Sequence, residues 1–371
     1  MVLKNTLYTL CCVLVSFFII NGIGKRERQI EQKETVSYVF SATTVDDAKF
    51  FDVSIGASGK FYIDWGDGNT ETIEKNDTNI LKISHSYDIA DKYEIKFGGK
   101  ATGYGSSIAV SFSNNQNLRR IDGSLGKIFG TIPDGSQPLF GNKYPYSEGT
   151  FANCANMIGE IPEELFAGVV GAPIENMFSG TFYGCSGLTG NIPENLFAGI
   201  SGEPAKYMFL YTFFRCSGIT GSIPEKLFAG IKGNPALGMF KGTFIGCENL
   251  TGNIPENLFS GISGAPAQYM FEATFDGCSG LTGDIPEKLF AGISGEPAQR
   301  MFEGMFYGCS GLTGYVPAKL FAGISTDTTA KDQMSGIFSE TGLYTVCPAE
   351  TELYITGFER WFNRKVSCVP I

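Results

Sequence analysis

Ten cysteines and one histidine bound the chemistry open to this chain of 371 residues. Cys154, Cys185, Cys216, Cys247, Cys278 and Cys309 recur at a constant step of 31 residues. Thiols can ligate a metal, form a disulfide or attack a substrate, and each use needs a companion group. A zinc site wants a histidine or a second cysteine nearby, and no repeat carries one. A nucleophile wants an adjacent base, and His85 is the sole histidine. Beside a turn in an alternating stretch, His85 reads as a hydrogen-bonded structural residue rather than a catalyst. Asp64, Asp67, Asn69 and Glu71 gather oxygen atoms as a calcium loop would. They do not keep the order of the calcium-binding helix–loop–helix motif, and Asp67-Gly68-Asn69 is a strong turn in its own right. The reading is therefore a hairpin turn with solvated carboxylates. No nucleophile–base pair, metal cluster or phosphate loop emerges, so the chain reads as non-catalytic, with no cofactor and no metal.

The elements that hold the cysteine ladder come from the repeat itself. Pro162, Pro193, Pro224, Pro255, Pro286 and Pro317 keep the same step, as do Phe166, Phe197, Phe228, Phe259, Phe290 and Phe321. A fixed period in this range marks stacked supersecondary units. Within one unit, Leu281 and Ile285 flank a brief strand that Pro286 ends. Pro286 suits a first helical turn, Leu289, Phe290 and Ile293 have short-helix spacing, and Gly292 and Gly295 close it. In the preceding copy Ala267, Met270, Phe271, Phe275 and Cys278 fall on one face of a 3.6-residue period. The spacing predicts one short strand and two helices per repeat, an α/β repeat solenoid. Stacked helices lie about 8–10 Å apart, beyond the ~7 Å limit between bridged Cα atoms. The six ladder cysteines are therefore expected to be free, inward-facing thiols.

Outside the ladder, residues 1–24 hold a lysine followed by an apolar run, a signal peptide or a membrane anchor. A cytosolic apolar terminus is the third reading, and the charged residues 25–34 form a linker. Val36, Tyr38 and Phe40, then Phe61, Ile63 and Trp65, then Tyr93, Ile95 and Phe97 alternate as half-buried strands do. Residues 35–111 are thus expected to form a small all-β sandwich. Residues 112–149 read as a divergent capping repeat, 150–336 as six repeats of 31 residues, and 337–371 as a C-terminal cap. Cys347 and Cys368, outside the ladder, are expected to close that cap with a disulfide.

Two resemblances follow. Tyr62-Ile63-Asp64-Trp65-Gly66-Asp67-Gly68-Asn69-Thr70, His85-Ser86-Tyr87 and Lys92-Tyr93-Glu94-Ile95 resemble the polycystic-kidney-disease (PKD) domain pattern. That likeness implies an immunoglobulin-like sandwich serving as an extracellular spacer or adhesion module. Phe182-Tyr183-Gly184-Cys185-Ser186-Gly187-Leu188 and Met305-Phe306-Tyr307-Gly308-Cys309-Ser310-Gly311-Leu312 resemble the BspA-type leucine-rich repeat surface proteins. That likeness implies a leucine-rich-repeat-like fold and an adhesive or host-contact role.

A formal net charge of -10 argues against a nucleic-acid partner, which needs a basic face. The repeats also show which positions vary. Two residues before each first proline stand Glu160, Asn191, Ser222, Asn253, Asp284 and Tyr315. After the repeat phenylalanine stand Ala152, Tyr183, Phe214, Ile245, Asp276 and Tyr307. Variation at such positions is drift on a solvated surface or a binding face; the first set is the candidate face. The functional expectation is an extracytoplasmic, secreted or cell-surface protein that binds protein or glycan on another cell or matrix. It would meet a membrane only through an uncleaved N-terminal segment. A structural spacer without a specific ligand is the alternative.

Overall fold

The computed structural model describes residues 36–143, 148–317, 319–325 and 335–345. The expected signal or anchor, the linker, and Cys347 with Cys368 lie outside the described residues. Among the described residues, no helix is long and apolar enough to cross a membrane.

The alternating stretches are strands. β1 (Tyr38–Thr44), β3 (Ser58–Asp64), β4 (Thr70–Lys75), β6 (Glu94–Gly103) and β8 (Leu118–Gly123) form an antiparallel sheet in the order β4-β3-β6-β1-β8. β2 (Ala48–Ile55), β5 (Leu81–Asp91) and β7 (Val110–Ser111) form a second, ordered β5-β2-β7. Alternation points Phe40, Phe61, Ile63, Ile95 and Phe97 from the first sheet, and Phe51 and Val53 from the second, into a shared core with Phe112. β9 (Tyr315–Val316) and β10 (Tyr344–Thr345) make a short parallel pair. β8 comes from the segment expected to cap the repeats and extends the sheet, while Phe140 and Asn142 of the same segment donate their amides to Met177 and Ser179 of the repeats. The core then runs on without a break: Phe112 stacks on Phe151 at 5.5 Å, and the Phe112 amide donates to the Thr150 carbonyl.

The expected α/β repeat solenoid is not what forms. The described residues contain no helix, and the regular structure is β, in two antiparallel sheets and one short parallel pair. The repeats are runs of tight turns. From 178 to 185, Phe178, Gly180, Phe182 and Gly184 donate their amides to Met208, Leu210, Thr212 and Phe214 of the next repeat. The residues between them bond three residues back: Ser179 to Asn176, Thr181 to Phe178, Tyr183 to Gly180 and Cys185 to Phe182. An α-helix would send every amide four residues back with φ near −63°. Here φ is +61° at Asn176, +62° at Gly180 and +71° at Gly184. A left-handed residue at every fourth position cannot sit in a right-handed helix. A four-residue turn period buries Met270, Phe271, Thr274, Phe275 and Cys278, nearly the set that a 3.6-residue period selects. Parallel bridges such as Gly171–Ile200, Gly202–Ile231 and Gly233–Ile262 hold successive repeats in register.

Stacking gives each apolar side chain the neighbour its own repeat cannot supply. Phe178, Phe209, Phe240, Phe271 and Phe302 form one ring column, with centroids 5.7, 5.5, 5.6 and 5.6 Å apart. Phe151, Phe182, Phe213, Phe244, Phe275 and Phe306 form another. Ring contacts of this kind add about 0.5–1.5 kcal/mol beyond burial. The buried threonine hydroxyls are satisfied in the same direction. Thr212, Thr243 and Thr274 each donate a hydroxyl at 3.0 Å to a phenylalanine carbonyl 34 residues back. The ladder cysteines do likewise: Cys185, Cys216 and Cys247 reach Phe151, Phe182 and Phe213 at 2.9, 3.0 and 3.1 Å. All six are free and buried, though on turns rather than on a helix face.

Candidate binding surface

At the β3–β4 turn the Asp67 carboxylate is occupied by protein donors. Oδ1 accepts the Asn69 amide at 2.9 Å, and Oδ2 accepts Asn69 Nδ2 at 3.0 Å and faces His85 Nε2 at 2.8 Å. Partial burial works against ionisation of Asp67, but the bonds from Asn69 and His85 outweigh it and hold the carboxyl below its ordinary value. Asp64 Oδ1 accepts the Gly66 amide at 3.0 Å. Glu71 lies on β4 opposite Ile63, exposed. His85 stacks on Trp65 at 4.7 Å, and the Tyr87 hydroxyl donates to the Trp65 carbonyl at 3.0 Å. Asp67 and His85 thus lock the turn to the sheet. Among the described residues, no group of three histidine, cysteine or acidic side chains is placed to hold a metal.

Glu160, Asn191, Ser222, Asn253 and Asp284 are exposed and line up along one edge of the stacked repeats. Each side chain leans on a glycine of the next repeat: Gly190, Gly221, Gly252, Gly283 and Gly314 in turn. Tyr315 lies at the end of this series, in β9. Asp276 of the other varying set is half-buried rather than solvent-facing. Burial, then the nearby Glu340 charge, raises its carboxyl above the ordinary value.

A third surface stands out by its backbone. From Asn176 to Gly308, three positions of each repeat, four residues apart, take positive φ. Glycine fills them at Gly238, Gly242 and Gly246, whereas the preceding repeat has Tyr207 (55°), Tyr211 (53°) and Arg215 (55°). A bulky residue in this conformation costs about 1–2 kcal/mol relative to its right-handed state, and such strain concentrates at functional sites. The three side chains lean forward onto the glycines: Tyr207 on Gly238, Tyr211 on Gly242 and Arg215 on Gly246. Tyr183 stacks on Phe214 at 4.4 Å, with Tyr211 edge-on to Phe214 at 5.4 Å, and the Arg215 guanidinium lies 5.2 Å over the Phe214 ring. Further along, Lys241 sits 4.9 Å over the Tyr269 ring and 2.6 Å from Glu272, while Arg300 pairs with Glu272 and Glu303. Tyr183, Tyr207, Tyr211, Phe214 and Tyr269 are all partly exposed.

Comparison of the repeats for variable positions finds Tyr183 and Phe214 but not Tyr207, Tyr211 and Arg215. The signal for these three is the run Gly238, Gly242, Gly246, whose four-residue spacing marks positive φ and whose counterparts one step earlier are not glycine. Compared with known proteins, the chain matches no family model, no curated protein and no solved structure.

Proposed function

We propose that this chain is an exported, non-catalytic repeat protein that binds a protein or glycan ligand on another cell or matrix. The ligand face is the surface carrying Tyr207, Tyr211 and Arg215. One observation carries the reading: a single repeat keeps three large side chains where its neighbour uses only glycine, at a cost to its backbone. Tyrosine and arginine are the residue types that dominate binding energy at interfaces. The amides of Tyr207, Tyr211 and Arg215 donate to Leu237, Lys241 and Ile245, so the face is ordered before any ligand arrives. The apolar N-terminal run supports export, and the likeness of residues 62–95 to the PKD pattern supports an extracellular setting.

The test exploits the repeat itself. Glycine already occupies the equivalent positions one step later, so Tyr207→Gly, Tyr211→Gly and Arg215→Gly together should remove the face and keep the fold. Binding of the full chain to intact cells and to immobilised matrix should be measured before and after this change. Loss of binding with an unfolding transition at or above the parent's supports the reading, since glycine relieves the left-handed backbone at the three positions. Binding that survives would place the contact elsewhere, and parent and variant that are equally inert would favour the spacer.

A further inference from the structure

We infer that the partner of this face is a second copy of the same chain, packed antiparallel across a two-fold axis that passes beside Ile245. The inference rests on the face being a binding surface and adds the identity of its occupant. The order of side chains along the face, its unpaired charges and its apolar centre carry it.

Tyr183, Phe214, Ile245, Asp276 and Tyr307 follow one another at steps of 31. The backbone sets them in one line: the amides of Gly184, Arg215, Gly246 and Gly277 donate to the carbonyls of Phe214, Ile245, Asp276 and Tyr307. All five are at least partly exposed, and Ile245 stands in the middle. Reversing the line about its centre lays Tyr183 against Tyr307, Ile245 against itself and Phe214 against Asp276. A two-fold interface has this form, in which residue i meets j and j meets i.

The charges match under that reversal but not within one copy. Arg215 is exposed, with its guanidinium 5.2 Å over the Phe214 ring, and makes no ion pair among the described residues. One repeat past the centre, half-buried Asp276 has the Glu340 carboxylate as its charged neighbour. Glu340 in turn accepts the Tyr307 hydroxyl at 2.6 Å. Neither carboxylate pairs with a cation among the described residues. The cations nearest in the chain are already engaged: Lys241 lies 2.6 Å from Glu272, and Arg300 lies 3.6 Å from Glu272 and 3.2 Å from Glu303. Exposed Glu175, Lys206 and Glu248 belong to other positions of the repeat and lie off this line. Each copy thus carries an unpaired guanidinium on one side of Ile245 and two uncompensated carboxylates on the other. A reversed copy brings each its opposite, and does so twice. A partner of different sequence would have to reproduce both charges at this spacing.

The middle of the face is apolar. Tyr183 stacks on Phe214 at 4.4 Å, Tyr211 stands edge-on to Phe214 at 5.4 Å, and Ile245 continues the line. Aromatic side chains and arginine around such a centre are what protein interfaces bury. Complementary charges on either side fix the register.

The experiment is sedimentation velocity of the full chain over a concentration series, at low and at high salt. A monomer–dimer equilibrium is expected, weaker at high salt because the paired charges are screened. Arg215→Glu and Asp276→Lys should each weaken dimerisation by about tenfold or more, since like charges then face each other. An equimolar mixture of the two variants should dimerise nearly as well as the parent, because both contacts are restored with their signs exchanged. Asp276→Asn, which keeps the shape without the charge, should also weaken the dimer and keeps the test open if lysine disturbs the fold. A dimer that neither variant weakens would overturn this face as the contact. Variants that weaken it without rescue in the mixture would overturn the antiparallel register. If the parent is monomeric throughout, yet the triple glycine variant loses cell or matrix attachment, the second copy is wrong and the binding face stands. If the parent is monomeric and the triple variant changes no attachment, both readings fall.

Discussion

Gly238→Ala tests how Tyr207 is held. The backbone there has φ +55°. Placing alanine in this conformation costs about 1–2 kcal/mol, offset by about 0.4–1 kcal/mol because alanine restricts the unfolded chain. The local penalty is therefore close to 1 kcal/mol. The new Cβ would also meet Tyr207 Cε1 at 2.5 Å and Cδ1 at 2.6 Å, well inside contact distance. The ring must swing away, and overpacking of this kind adds about 1–3 kcal/mol. Gly238→Ala should thus lose about 2–4 kcal/mol in the parent but only about 1 kcal/mol in a Tyr207→Ala background, a coupling of at least ~1 kcal/mol. Urea titration of the four proteins in the cycle, with unchanged slopes, measures it. Equal losses in both backgrounds would show that the ring does not rest on Gly238, and the forward-leaning geometry of the face would fail with it.

Other consequences are open to measurement. Phe275 stacks between Phe244 and Phe306 at 5.6 Å each and is fully buried, so Phe275→Ala should cost about 3–5 kcal/mol. Exposed Asn253→Ala should change stability by less than about 0.5 kcal/mol; similar losses at both sites in denaturant titration would contradict this assignment of inside and outside. Burial pushes the thiols of Cys154, Cys247 and Cys309 up to about 12 from 9.0. The unfolded chain then releases these protons first, so stability should fall as pH rises from about 9 toward 12, and Cys247→Ala should flatten that decline. At neutral pH an alkylating reagent should label the six ladder thiols only after denaturation; rapid labelling of the native chain would contradict their burial. The Asp67 carboxyl sits below its ordinary value, so its stabilisation is complete above the unfolded value near 3.8 and disappears as pH falls through the folded one. Asp67→Asn should remove that part of the acid dependence, measured as the unfolding midpoint against pH.

Some of this protein is written in residue order alone. The step of 31 reappears as parallel bridges from Gly171, Gly202 and Gly233 onward, because like residues stack best on like in a repeating backbone. Alternation at Phe61, Ile63 and Trp65 places the strand face, since every second side chain of a strand points to the same side. The inward set of each repeat, Met270, Phe271, Phe275 and Cys278, is equally legible, because burial follows from apolar character whatever backbone carries it. The backbone is not legible from that set: periods of 3.6 and 4 residues coincide over so short a run. The sign of φ decides between them, and composition hints at it only through glycine recurring every fourth residue. Stacking settled the matter, because alternate amides donate to carbonyls of the next repeat, where a helix would turn every amide back on its own chain. Tertiary structure also moved Leu118–Gly123 into the sheet beside β1, a pairing between distant segments that no local pattern encodes. It laid Tyr207, Tyr211 and Arg215 across the glycines of their neighbour, since where a side chain leans depends on the empty space the next repeat provides.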